Sequence, residues 1–237
     1  MESKIIHGDC IDELKKLPDA SVDLVVTDPP FFMKLDHFKT RTFFKRNFAD
    51  IGIIENFFRD VFQQIFRVLK PTGRMYCFCD GQSYPLFWYH IFQYTKSARP
   101  LIWNKKTSIN GYSWRHQHEL IIFAEMPQAK PVPTGDWDIL ECRAVPVGKR
   151  IHPAEKPVEL LKKFIEKSSD ENDIVLDPFA GSGSVMKACI ETNRKYIMIE
   201  KESSYFELMK QSDKTSTSQT SLNPNTKQKA GFKELEW

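Results

Sequence analysis

The segment Val22-Asp23-Leu24-Val25-Val26-Thr27 is short, β-branched and largely apolar, and it runs directly into Asp28-Pro29-Pro30-Phe31. A run of that length and composition suits a strand covered on both faces. Pro29 and Pro30 then fix two successive φ angles and donate no backbone hydrogen bonds, so the strand has to stop. Asp28, the Pro29 carbonyl and Phe31 are therefore expected on a stiff loop at the carboxyl end of a strand. In an open α/β sheet that is where ligands bind.

The rest of the chain continues the alternation. Lys4 to His7 reads as a strand and Ile11, Leu14 and Leu17 as a helix ending at Pro18. Phe58, Val61, Phe62, Ile65, Phe66 and Leu69 follow the i, i+3, i+4 spacing of an amphipathic helix that stops at Pro71-Thr72-Gly73. Arg74 to Cys79, Leu101 to Trp103 and Leu120 to Phe123 read as strands, and Leu86 to Tyr94 as a helix. Pro127 to Gly148 carries four prolines without periodicity and reads as a loop-rich insertion. A helix through Val158, Leu161, Phe164 and Ile165, begun by Pro157, precedes the strand Ile174-Val175-Leu176. A helix near Val185 to Thr192 and a strand Tyr196 to Ile199 close the series at Glu200. Strands alternating with helices predict an α/β fold with a mostly parallel, doubly wound sheet.

One domain over residues 1–210 is expected, followed by a disordered tail over 211–237, because Gln211 to Lys229 contains a single apolar residue, Leu222. Five scattered cysteines argue against a disulfide framework, and the absence of a signal-peptide layout or a long apolar run argues for a cytoplasmic chain without membrane contact.

The strand Ile174-Val175-Leu176 runs into Asp177-Pro178-Phe179-Ala180-Gly181-Ser182-Gly183-Ser184 at a helix start. Glycines there let the backbone approach a ligand, and the helix amino terminus favours negative charge. The third glycine of a dinucleotide fingerprint is replaced by Met186, which disfavours NAD. Glu200, at the end of the next strand, stands where an acid can accept ribose hydroxyls. Together these residues predict a nucleoside site.

Net charge is only +3, but the basic residues cluster. Lys34, Lys39, Arg41, Lys45 and Arg46 interleave with Phe38, Phe43 and Phe44, and a second run carries Lys105, Lys106, Trp114 and Arg115 with no acid between Lys96 and His118. Basic residues mixed with aromatics suit a phosphate backbone and exposed bases, although either run alone is an ordinary solvated face. Cys77, Cys79, His116 and His118 could supply four zinc ligands, but Cys-x-Cys is tighter than most structural sites and lies in an expected core strand. No metal is therefore predicted.

DPPF at 28–31 together with DPFAGSG at 177–183 resembles the amino-methylating DNA methyltransferases that use S-adenosylmethionine, and the order of the two motifs resembles their permuted beta group. HGDC at 7–10 and HPAEKP at 152–157 look like two further elements of that family, so the resemblance spans about residues 4–210. It implies a Rossmann-like methyltransferase fold with circularly permuted motif order. It also implies S-adenosylmethionine as cofactor, with Asp9, Cys10, Asp28, Lys156, Pro157, Asp177, Phe179, Gly181, Ser182, Gly183 and Glu200 at the cofactor site. Asp28, Pro29, Pro30 and Phe31 would be the catalytic residues, with Phe31 stacking on a flipped base although the family more often has Tyr there. Lys34, Lys39, Arg41, Lys45, Arg46, Lys105, Lys106, Trp114 and Arg115, within recognition insertions at about 34–47 and 104–148, would meet double-stranded DNA.

An Asp at 28 favours adenine N6 over cytosine N4, an RNA base being the other chemical alternative. A silent DNA-binding protein of this fold would need neither Asp28 nor the glycine loop. Carbon methylation of cytosine is excluded, since the chain has no Pro-Cys pair. A prokaryotic or phage context is expected. A homodimer and a cognate restriction enzyme are further partners to test.

Overall fold

The computed structural model describes residues 1–30, 48–106, 114–132, 135–146, 148, 150 and 155–220. Among them the strands β1 (Lys4–His7), β2 (Val22–Thr27), β3 (Leu69–Cys79), β4 (Ser97–Asn104), β5 (His118–Glu125), β6 (Ile139–Glu141), β7 (Ile174–Asp177) and β8 (Lys195–Glu200) form one sheet in the order β1-β8-β7-β2-β3-β5-β4-β6. The first five in that order are mutually parallel, β5 runs antiparallel to both β3 and β4, and β6 returns parallel to β4. The helices are α1 (Cys10–Lys15), α2 (Phe48–Val68), α3 (Tyr84–Phe92), α4 (Val158–Ser168), α5 (Ser184–Glu191) and α6 (Ser203–Thr220). No described helix is long and apolar enough to cross a membrane.

The apolar runs explain the centre of the sheet. Leu24, Val25 and Val26 of β2, Val175 and Leu176 of β7 and Ile197, Met198 and Ile199 of β8 are fully buried at successive positions, which requires cover on both faces. In α2, Phe58, Val61, Phe62 and Ile65 bury one stripe, and in α4 Leu160, Leu161, Phe164 and Ile165 do the same. Tyr76 of β3 stacks on Phe164 at 4.3 Å between centroids, tying α4 to the sheet. From β2 the chain winds outward to β3, whereas β7 joins β2 on its other side. The crevice opens at this change of direction.

Three expectations are corrected. β6 lies inside the stretch read as loop; it is three residues long and buries only Leu140, too little for a periodic signal. The 104–148 span is not one insertion, because β5 crosses its middle with a partner strand on each side. The expected tail from Gln211 begins as helix, since α6 continues to Thr220. Met209 of this helix is fully buried, and Tyr196 Oη donates to Asp213 at 2.5 Å. Residues 221–237 lie outside the described residues.

Candidate active site

A cavity of about 670 Å³ opens at the carboxyl ends of β1, β8, β7 and β2. Gly8, Asp9 and Cys10, Thr27 to Pro30, Asp177 to Ser182, and Glu200 to Glu202 line it, with Phe57, Lys156 and Tyr205 among the remaining walls.

Two left-handed glycines shape the loop after β7, and they do different work. Gly181, at φ +52°, lines the cavity and donates its backbone N–H to Oε2 of Glu200 at 2.7 Å. The other Glu200 oxygen accepts the Glu202 N–H at 2.7 Å. The carboxylate at the end of β8 is thus fixed with lone pairs still available to hydroxyl donors. Gly183, at φ +81°, caps α5 between the lining residues Ser182 and Ser184, and a β-carbon there would lie 2.7 Å from Met209 Cγ. Its missing side chain makes room for α6. Pro157 caps α4 next to the lining residue Lys156.

Asp177 ends β7 almost wholly buried, accepting Thr27 Oγ1 at 2.8 Å and the Phe179 N–H at 3.0 Å. Burial outweighs those bonds and, with the Asp28 and Glu200 charges nearby, pushes its carboxyl up to about 7. Asp9 caps α1 by accepting the Ile11 N–H at 3.0 Å; burial pushes its carboxyl up, but Lys201 and the backbone donors outweigh this and hold it below the usual value. Cys10 is buried, which raises its thiol to about 12 and leaves it neutral.

At the end of β2, Lys156 Nζ contacts Asp28 Oδ2 at 2.5 Å and Glu119 Oε2 at 3.3 Å, above the Phe78 ring. Burial alone would lower the Lys156 ammonium, but the two carboxylates reverse this and raise it, so it stays charged. Asp28 Oδ1 is buried and has no hydrogen-bond partner among the described residues.

The expected DNA contacts divide. Lys105 is buried with Nζ on Glu119 at 2.5 Å, so it cannot serve a phosphate. Trp114 and Arg115 are exposed, and Lys106 is exposed while pairing with Glu141 at 2.6 Å. Phe31, Lys34, Lys39, Arg41, Lys45 and Arg46 lie outside the described residues. Cys77 and Cys79 are buried in β3, whereas His116 and His118 are exposed; no candidate metal cluster occurs among the described residues. The sequence missed Thr27, whose only signal was a hydroxyl closing an apolar strand. It also missed Glu119, which carries no motif.

The family model described as DNA methylase matches residues 22–211. The DNA adenine methyltransferase YhdJ of Escherichia coli is 32% identical, covering 86% of this chain and 80% of YhdJ. The type II methyltransferase M.HpaI of Haemophilus parainfluenzae is 29% identical, covering 89% of this chain and 74% of its own length. Among solved structures, the M1.HpyAVI–SAM complex superposes with a TM-score of 0.64 at 25% identity over 88% of this chain and 98% of the other. The cytosine-N4-specific PvuII DNA methyltransferase shares the fold at a TM-score of 0.73, with 15% identity over 88% of this chain and 85% of its own. The match of the family model over most of the length, with the crevice geometry above, places the chain in the DNA methylase family.

Proposed function

We propose that this DNA methylase transfers the methyl group of S-adenosylmethionine to the N6 amino group of an adenine turned out of the DNA duplex. The observation that carries the reading is the asymmetry of Asp28: Oδ2 is held by Lys156, while Oδ1 is buried on a wall of the cavity without a partner among the described residues. A buried carboxylate oxygen in that state calls for a donor, and the amino group of a bound base supplies one. The 32% identity to a protein named a DNA adenine methyltransferase supports adenine over cytosine.

The cavity fits the cofactor. Glu200 offers a fixed carboxylate to ribose hydroxyls, Gly181 brings bare backbone to the wall, and the Asp9 and Asp28 carboxylates suit a cationic ligand. When bound, S-adenosylmethionine supplies an electrophilic methyl on its sulfonium sulfur. Asp28 Oδ1 and the Pro29 carbonyl then accept the two amino hydrogens of the base and turn the nitrogen lone pair toward that methyl. Holding the reactants in line removes much of the barrier. Positive charge grows on nitrogen during transfer, and the fixed Asp28 carboxylate stabilises it. The methylated nitrogen afterwards releases a proton to solvent. Pro29 and Pro30 stiffen the loop, and Phe31, next in the chain, stacks on the extruded ring.

Incubation of the protein with labelled S-adenosylmethionine and unmethylated DNA, followed by nucleoside digestion, tests this. N6-methyladenine is expected, and labelled N4-methylcytosine would overturn the adenine assignment. Asp28→Ala should abolish the label.

A further inference from the structure

We propose that Glu119 is a positioning residue for methyl transfer, acting through Lys156 to fix the Asp28 carboxylate with Oδ1 toward the target amino group. This rests on the reading of Asp28 given above. Four charges alternate in a chain across the sheet. Lys105 Nζ meets Glu119 Oε1 at 2.5 Å, Glu119 Oε2 meets Lys156 Nζ at 3.3 Å, and Lys156 Nζ meets Asp28 Oδ2 at 2.5 Å. Their side chains are only 7–20% exposed.

The topology explains how they meet. β5 is antiparallel to β3 with Leu120 opposite Cys79, so the start of β5 sits at the edge where β3, and β2 beside it, end. β4 runs antiparallel to β5 with Trp103 opposite Glu119, which puts Lys105 at the same edge. The antiparallel strand thus delivers an acid to the active edge from a part of the chain without any methylase motif.

A lone lysine would be a poor anchor, because its four-carbon stem has many rotamers. Held between two carboxylates over the Phe78 ring at 4.8 Å, the ammonium becomes a fixed point. Asp28 Oδ2 is pinned to it, and rotation about the last side-chain torsion is removed. Oδ1 then has one direction. Glu119 itself does not line the cavity, so its influence passes through Lys156.

Steady-state kinetics on the full chain with labelled S-adenosylmethionine and DNA test this in Glu119→Gln, Glu119→Asp and Asp28→Ala, with cofactor affinity measured by calorimetry. Glu119→Gln should lower kcat about 10- to 100-fold, as misplacement of a reacting group does, while Kd for the cofactor and KM for DNA stay near wild type. Glu119→Asp keeps the charge but is one methylene shorter, and should fall between the two. Wild-type kcat in Glu119→Gln, a loss shared equally with Kd and KM, or Glu119→Asp as impaired as Glu119→Gln would each overturn the inference. Should Glu119→Gln fail to fold, unchanged kcat in Glu119→Asp overturns it. If Asp28→Ala still methylates, the reading of Asp28 fails; if it is dead and Glu119→Gln is fully active, only the positioning role fails.

Discussion

Met209 of α6 packs where a side chain on Gly183 would stand: a β-carbon there would approach Met209 Cγ to 2.7 Å and Sδ to 3.1 Å. The glycine that resembles a cofactor residue is a docking point for a helix. Gly183→Val should therefore lower unfolding stability, through a left-handed backbone strain of ~1–3 kcal/mol and the clash with Met209. Met209→Ala in the same chain should restore the clash component only. Urea titrations of the two single variants and the double variant read this directly; additive losses would show that the two residues do not share that space.

Glu200→Ala removes the acceptor of two backbone donors, Gly181 N–H and Glu202 N–H, and the partner proposed for the ribose. A loss of ~1–3 kcal/mol in S-adenosylmethionine binding is expected, roughly 5- to 150-fold in Kd by calorimetry. Glu200→Gln keeps one carbonyl acceptor and should lose less.

Asp177 gives a pH signature. Its carboxyl, raised to about 7 chiefly by burial, keeps its proton in the folded chain over a range where the unfolded chain has lost it. Its contribution to stability is therefore complete below about pH 4 and disappears as pH rises through about 7. Asp177→Asn retains an oxygen for Thr27 and Phe179 but does not titrate. The stability of the wild type minus that of Asp177→Asn should decline across this window by an amount on the order of 4 kcal/mol. Denaturation curves from pH 4 to pH 8 would show it, and a flat difference would refute the burial argument.

For DNA, Lys106→Ala with Arg115→Ala should reduce the slope of log affinity against log salt by about two, one unit per phosphate contact. Lys105→Ala should leave that slope alone and lower thermal stability, because it strips Glu119 of its closest cation. Filter binding over a salt series separates the two behaviours.

These contrasts show which parts of the molecule are legible in its residues. Val22 to Thr27, Ile174 to Leu176 and Tyr196 to Ile199 read as strands because burial on both faces leaves no room for polar alternation. Asp28 and the Asp177 loop read as a site because prolines and glycines punctuate strand ends. Lys105 and Lys106 are identical in composition, yet one folds inward and the other outward. What decides is Glu119 on the neighbouring strand, and charge clustering along the chain has no access to that. β6 and α6 escaped for a related reason: β6 buries only Leu140, and among the described side chains of α6 only Met209 is buried. Such anchors leave no period.

The neighbours of β2 and β1 in the sheet also set a timetable for synthesis. Thr27 meets Asp177 across 150 positions, and His7 meets Lys201 across 194. While the ribosome is still making the middle of the chain, β2 can pair with β3, but its other edge, fully apolar at Leu24, Val25 and Val26, has no strand to join. Such an edge is a template for association with other nascent chains, and closing it over so long a loop is slow. The methyl-donor pocket comes into being only when β7 and β8 emerge, so a chain released after β6 would be both inactive and prone to aggregate.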